Sequence, residues 1–190
     1  MPREFITVVS GIPRSGTSLA MQMVVAGGIP PLTDGLRAAD EDNPRGYFEF
    51  ERVRQLRGDK AWVADAVGKA VKVIHLLLTE LPDDRPYRIV YVERDLREVV
   101  RSQAAMLERS GRRGGGLAPE RLIAVFEAQE KQVRAWLDAR RAFSVLRVRH
   151  ADLVRDPAGQ ARSINAFLGG DLDEPAMASA VDPSLYRNRA

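Results

Sequence analysis

Residues 10–18, Ser-Gly-Ile-Pro-Arg-Ser-Gly-Thr-Ser, lie between an apolar run at 5–9 and a mostly apolar segment at 19–26. This pattern predicts a strand, a tight glycine turn and a helix. The first four N–H groups of a helix have no partner within it, and the helix dipole adds positive charge at that end. Gly11 and Gly16 let the backbone approach an anion closely. The stretch is therefore typical of a loop that binds phosphate or sulfate.

The loop differs from that of nucleoside-triphosphate-binding proteins. Their pattern, G-x-x-x-x-G-K-[ST], has a lysine directly after the second glycine. Here Gly11 and Gly16 keep the spacing, but Thr17 stands in the lysine position and the positive charge is carried by Arg14. Thr17 and Ser18 add hydroxyl donors. A kinase or NTPase with a P-loop is therefore an alternative that the missing lysine disfavours.

Composition limits the remaining classes. The chain has 190 residues, and we expect one domain over residues 1–190. It has no cysteine and only two histidines, too few for a thiolate or histidine-rich metal site. No stretch approaches about 20 consecutive apolar residues, and the N-terminus lacks a signal-peptide core, so we expect a cytoplasmic protein without a membrane span. The net charge of +3 suits a small anionic ligand. The basic residues are not interleaved with aromatic ones as nucleic-acid binding requires.

The remaining chain alternates between strand and helix patterns. Apolar runs at 70–74, 88–93 and 143–148 predict three further strands. Such alternation predicts a three-layer α/β/α fold with a central parallel sheet. The helices are predicted at 17–26, 47–57, 60–67, from 95 onward, 119–141 and 158–168, with a polar segment at the end of the chain.

Residues 13–18 resemble the P-[KR]-S-G-T-[ST] loop of the sulfotransferases. In that family, the loop binds the 5′-phosphosulfate group of 3′-phosphoadenosine 5′-phosphosulfate (PAPS). The resemblance implies the same role for the residues at these positions. They are Pro13, Arg14, Ser15, Gly16, Thr17 and Ser18.

A second resemblance concerns the other end of the same ligand. Arg94 follows the predicted strand at 88–93, and Ser102 lies eight residues later. This is similar to the sulfotransferase pattern R-(x)7-S, which holds the 3′-phosphate of PAPS. Arginine supplies a forked, permanent cation and serine a neutral donor. The family also places an R-K-G cluster late in the chain against this phosphate; that motif is absent here, and Arg187 or Arg189 is the candidate replacement.

The candidate catalytic residues follow the second predicted strand and the first helix. Cytosolic sulfotransferases have a lysine and a catalytic histidine there, in K-T-H-L-P. Lys72 and His75 resemble this pair, although the lysine is one position further away and the first proline is missing. An imidazole at the end of a parallel strand suits proton abstraction, but His75 can equally be structural. Other family members use an acidic base after the first helix, for which Asp34 and Glu49 are candidates unless they are solvated loop carboxylates.

Two further segments have less specific patterns. Residues 150–157 resemble the family's Y-E-D-L…P turn, with His150 in the tyrosine position, and we interpret this histidine as structural. Residues 109–118 are rich in arginine and glycine, which is compatible with a lid over the site or with a plain connector.

The resemblance covers residues 10–190 and implies an activity. A sulfuryl group would pass from PAPS to a hydroxyl or amine of a small-molecule acceptor, releasing 3′-phosphoadenosine 5′-phosphate (PAP), without a metal. Arg14 would neutralise the departing charge, Lys72 would assist at the bridging oxygen, and His75, Asp34 or Glu49 would take the acceptor proton. Because the K-x-H-L-P region is incomplete, a PAPS- or PAP-binding protein without catalysis is a second alternative. The acceptor and the oligomeric state, a homodimer included, stay open.

Overall fold

Four parallel strands form the sheet of this protein, whose computed structural model describes residues 3–36, 46–109, 111 and 116–182. The strands are β1 (Ile6–Gly11), β2 (Ala70–Lys72), β3 (Tyr87–Glu93) and β4 (Phe143–Arg149). The strand order is β2-β1-β3-β4, with each strand hydrogen-bonded to the next. The prediction of a central parallel sheet is confirmed.

Helices cover both faces of the sheet, so the three-layer prediction is also confirmed. The helices are α1 (Thr17–Ala26), α2 (Leu96–Arg109), α3 (Pro119–Asp138), α4 (His150–Arg155), α5 (Pro157–Leu168) and α6 (Glu174–Ser179). On one face of the sheet, Val8 is buried against the 3₁₀ segments and against Val133 and Leu137 of α3. On the other face, Val9 is buried against α1, α4, α5 and α6. Among the described residues, no helix has the length and apolarity that crossing a membrane requires.

Three short segments differ from the sequence predictions. The predicted helices at 47–57 and 60–67 are wrong, because the chain forms 3₁₀ turns at Glu51–Gln55 and Ala61–Ala66. Gly58 and Asp59 separate them: Gly58 N–H closes the first turn onto Gln55 O, and Asp59 accepts the N–H of Ala61. Such short segments favour 3₁₀ geometry over an α-helix. A further 3₁₀ segment, His75–Glu80, follows β2, which is shorter than the predicted strand.

Helix α6 lies in the segment that was predicted only as polar. Its signal is local: the Asp173 side chain accepts the N–H of Ala176 at 2.9 Å, and a proline stands in the first turn. This is an N-cap followed by a first-turn proline, the usual start of a helix.

The topology places a crevice between β1 and β3. After β1 the chain continues to β2 on one side, and after β3 it continues to β4 on the other side. Ligands of such sheets bind outside the carboxyl ends of the strands where the order diverges in this way. Gly11 pairs with Val92 at that end, so the loop after β1 and Arg94 after β3 begin side by side.

Candidate active site

The loop between β1 and α1 is closed tightly at its first glycine. A Cβ at Gly11 would lie 2.4 Å from Ser15 Oγ and 2.6 Å from the carbonyl oxygen of Val92. Any other residue would therefore push the loop away from β3. The Ser15 N–H donates to Ile12 O at 3.0 Å and completes the turn. The predicted glycine turn thus depends on direct contact between the loop and the neighbouring strand.

The second glycine leaves the start of α1 open. Gly16 has a φ of +104° and accepts the first helical hydrogen bond, from the Ala20 N–H at 3.2 Å. Glycine has no side chain to cap the first turn, so the helix presents N–H groups and the positive end of its dipole to the crevice. Thr17 and Ser18, both partly exposed, add hydroxyl groups at the same point. This is the geometry of an anion-binding helix terminus.

Arg14 connects this loop with the two residues of the R-(x)7-S pattern. Its Nε donates to Ser102 Oγ at 3.1 Å, and its carbonyl oxygen accepts a hydrogen bond from the Arg94 guanidinium at 3.1 Å. Arg14 also has a φ of +75°, which costs a non-glycine residue on the order of 1–3 kcal/mol. The two hydrogen bonds hold the loop in this conformation. The structure therefore brings together Arg14, Arg94 and Ser102, which lie far apart in the sequence.

Arg94 is oriented by a carboxylate on the next turn of helix. Its Nε donates to Glu98 Oε2 at 2.8 Å, and both side chains are buried. The sequence pattern D-x-x-E suggests that Glu98 caps α2 together with Asp95. Asp95 does cap the helix, accepting the Arg97 N–H at 2.7 Å, but Glu98 forms the buried ion pair. The Arg-to-Glu spacing of four residues was the available signal for this contact.

Lys72 brings a second cation to the start of α1. Its Nζ donates to Ser18 Oγ at 3.0 Å and to the carbonyl oxygen of Tyr47 at 3.0 Å. Lys72 ends β2, whereas Tyr47 belongs to the connection after α1. The contact therefore links this connection to the loop. Glu49 lies two residues after Tyr47, whose carbonyl oxygen accepts the hydrogen bond from Lys72.

His150 lies against the back of the loop. A Cβ at Gly16 would lie 2.3 Å from His150 Cδ2, so imidazole and glycine backbone are in close contact. The histidine is 7% exposed. Its burial, with a further contribution from the charge of Arg94, lowers the pKa of His150 to about 4. At neutral pH this side chain adds no charge to the site.

Asp34, one of the three candidate bases, is used as a cap. Its carboxylate accepts the N–H groups of Glu51 at 2.6 Å and Leu36 at 3.1 Å. The hydrogen bond from Glu51, with that from Leu36, lowers the pKa of Asp34. A carboxylate stabilised in this way is a weak proton acceptor.

His75 and Glu49 have contrasting environments. His75 is 2% exposed, and its Nε2 lies 2.9 Å from Gln129 Oε1 on α3. Burial lowers the pKa of His75, although the contact with Gln129 opposes this effect. The Glu49 side chain is 27% exposed, and Oε2 lies 3.4 Å from an amino nitrogen of Arg54. Of the three, Glu49 is the carboxylate that is partly exposed and pairs with an arginine side chain.

Other predicted residues have less defined environments. Pro13 is exposed at the tip of the loop, and Ser15 is buried beneath it. Arg187, Arg189 and half of the segment at 109–118, namely residues 110 and 112–115, lie outside the described residues. Within the ranges that the structure describes, no three or more histidine, aspartate or glutamate side chains are grouped as a metal site would require.

The parallel sheet, the open helix terminus and the cations around it define an α/β protein whose loop after β1 has the geometry that suits an anion. The chain belongs to the sulfotransferase family, whose model matches residues 38–174. Membership supports sulfuryl transfer as the general activity. No curated protein sequence gives a significant match.

Solved structures of sulfotransferases share the fold. The sulfotransferase domain from the curacin biosynthetic pathway is 16% identical, with a TM-score of 0.57 over 99% of this chain and 88% of that one. Retinol dehydratase in complex with androsterone and PAP is 21% identical, with a TM-score of 0.56 over 94% of this chain. The mouse sulfotransferase SULT7A1, complexed with PAP, is 18% identical, with a TM-score of 0.54 over 94% of this chain. The match spans 63% of each of the last two proteins.

Proposed function

We propose that this protein transfers a sulfuryl group from PAPS to a hydroxyl or amine of a small-molecule acceptor and releases PAP. The observation that carries the proposal is the convergence of Arg14, Arg94 and Ser102 at the open start of α1. These are the residues that the family patterns assign to the two charged ends of PAPS, and they form one hydrogen-bonded group. Two of the neighbouring folds were solved with PAP.

The residues around α1 fit a ligand with two separated anionic groups. The N–H groups of the first turn, Thr17, Ser18 and Arg14 would hold the 5′ end, with Lys72 close enough to share its charge. Arg94 and Ser102 would hold the 3′-phosphate. Bound PAPS supplies the sulfuryl group and leaves as PAP. The contribution of the protein is to position the ligand and to neutralise charge, as in phosphoryl transfer.

We propose Glu49 as the general base, which takes the proton from the hydroxyl or amine that receives the sulfuryl group. Asp34 accepts two backbone N–H groups, and His75 is buried against Gln129, so neither side chain offers an unhindered basic atom to a substrate. Glu49 is partly exposed and lies two residues from the carbonyl that binds Lys72. Asp34 and His75 are then structural residues next to the site.

The competing functions differ in their ligands. A kinase or NTPase needs a lysine on the phosphates; Thr17 occupies that sequence position, although Lys72 reaches Ser18 from β2. A binding protein without catalysis would take PAP without sulfating any acceptor. Thermal unfolding with PAP, and separately with ATP and Mg²⁺, tests the kinase or NTPase alternative. Incubation with PAPS and a panel of phenols, alcohols and amines tests the alternative of a binding protein without catalysis.

The expected result of the unfolding experiment is stabilisation by PAP and not by ATP with Mg²⁺. At about 100 times the dissociation constant, a ligand that binds only the folded state adds roughly 2.7 kcal/mol. For a chain of this size, that corresponds to an increase in Tm of about 5–10 °C. Stabilisation by ATP with Mg²⁺ alone would contradict the proposal and favour the kinase alternative.

A pair of glycine substitutions tests whether the loop is the PAP site. Gly16 and Gly28 have φ values of +104° and +105°, so alanine is strained equally at both, by about 1–3 kcal/mol. Only at Gly16 does the added Cβ meet another side chain, His150; at Gly28 nothing lies within 4 Å. We expect Gly16→Ala to lower PAP affinity by about 100-fold, as small displacements of positioning groups do, and Gly28→Ala to leave it unchanged. Calorimetric titration with PAP measures both; equal affinities would exclude the loop as the binding site.

A further inference from the structure

A charged cavity lies beside the loop at the carboxyl ends of β3 and β4. Its volume is about 260 Å³, and one wall contains Arg94, whose guanidinium binds Arg14 O. Arg149 and Ala151 also line the cavity, and His150, which lies between them in the sequence, is in close contact with Gly16. The cavity therefore lies next to residues that contact the loop. It is lined by Glu93, Arg94, Asp95, Glu98, Arg149 and Ala151.

Arg94 alone cannot neutralise a phosphate in this cavity. Its charge is already balanced by Glu98 at 2.8 Å, and both partners are buried, so the pair contributes no net charge. A phosphate monoester carries close to two negative charges at neutral pH, and removing it from water without a matching cation is costly. Because Arg14 is assigned to the 5′ end of the donor, a site for the 3′-phosphate needs a second cation. The other two carboxylates of the lining already have partners: Glu93 pairs with Arg134, and Asp95 accepts the N–H of Arg97.

Arg149 is the other cation that lines the cavity, and it belongs to a group with excess positive charge. Its Nε donates to Asp152 Oδ2 at 2.6 Å, and Arg155 binds the other oxygen of the same carboxylate. Two guanidinium groups thus share one carboxylate, which leaves one positive charge. The Arg149 side chain is 71% exposed, and its terminal amino groups make no hydrogen bond to any of the described residues.

We propose that Arg149 is the second cation for the 3′-phosphate of the donor, in the role that the absent R-K-G cluster fills in other sulfotransferases. The inference rests on the proposed function, because it assumes that PAPS is the donor. Asp152 binds the Nε of Arg149, which leaves the two terminal amino groups for phosphate oxygens.

Arg149→Gln and Arg155→Gln are matched substitutions for the test. Both side chains pair with Asp152, and they are 71% and 75% exposed, but only Arg149 lines the cavity. The probes are PAP and adenosine 5′-monophosphate, which lacks the 3′-phosphate. We expect Arg149→Gln to weaken PAP binding by about tenfold and to leave binding of adenosine 5′-monophosphate unchanged. A tenfold loss lies between that of an exposed ion pair and that of a fully formed charged hydrogen bond. Arg155→Gln should change neither affinity by more than about twofold.

The controls separate this inference from the proposed function. Tm values near that of the unchanged protein establish that the variants fold, and Arg149→Lys, which keeps the charge but loses the fork, should give an intermediate loss of PAP affinity. If Arg149→Gln weakens both nucleotides equally, or neither, the assignment to the 3′-phosphate is overturned while the proposed function stands. If the unchanged protein does not prefer PAP to adenosine 5′-monophosphate, both are overturned.

Discussion

Arg14→Ala is expected to lower turnover by about 100-fold or more, the loss typical of removing one preorganised group that stabilises developing charge. The guanidinium donates to Ser102, and the backbone of Arg14 is held by the hydrogen bond from Arg94 to its carbonyl oxygen. Because the Arg14 side chain is already in place, it does not have to move when negative charge develops on the departing PAP. Alanine keeps the backbone of the loop but removes both the charge and the link to α2.

The measurement is the rate of PAP formation from PAPS with the best acceptor found in the panel of phenols, alcohols and amines. Arg85→Ala is the matched control, since Arg85 pairs with Asp84 in the turn before β3, at the opposite end of that strand. We expect its turnover to equal that of the unchanged protein. Arg14→Lys should recover part of the rate, because it restores a charge without the planar fork. Unchanged turnover in a folded Arg14→Ala protein would exclude Arg14 from catalysis.

The loop and the sheet could be predicted because their signals are local. Strand, glycine spacing and helix follow one another within residues 5–26, and α1 begins and ends where the pattern indicates. The pairing of Arg94 with Ser102 was also visible as a spacing of eight residues across the end of β3 and the start of α2. That both residues contact Arg14 depends on β1 and β3 being neighbours, which follows from the parallel topology once the strands are known.

Other parts of the site could not be predicted, because the environment of these side chains depends on how distant segments pack together. His75 follows a parallel strand, where the pattern suggests a catalytic imidazole, but it begins a 3₁₀ segment and is buried against Gln129 of α3. Asp34 is in a polar connection, and only the folded chain shows that it caps the segment beginning at Glu51. Arg149 belongs to no recognisable sequence motif. Only the fold shows that it lines a cavity with Arg94 and shares the Asp152 carboxylate with Arg155.

Glu49→Gln is expected to lower turnover by about 100-fold or more, while PAP affinity stays within about twofold of the original value. Glutamine keeps the size of the side chain but cannot accept a proton from the acceptor group. PAP binding does not depend on that proton, so the loss should be confined to the rate. A loss of PAP affinity of similar size would instead mean that Glu49 supports the loop through the connection at 46–50.

The neighbouring glutamate provides a control that isolates proton transfer from local electrostatics. Glu49 and Glu51 both contact Arg54, at 3.4 Å and 3.3 Å, so either substitution removes one negative charge from the same arginine. We expect Glu51→Gln to keep nearly full turnover. Asp34→Asn and His75→Gln should reduce Tm more than turnover, because Asp34 caps a turn and His75 is buried against Gln129. If His75→Gln abolishes turnover at unchanged Tm and PAP affinity while Glu49→Gln remains active, the proton acceptor is the histidine, and the buried imidazole must become accessible when substrates bind.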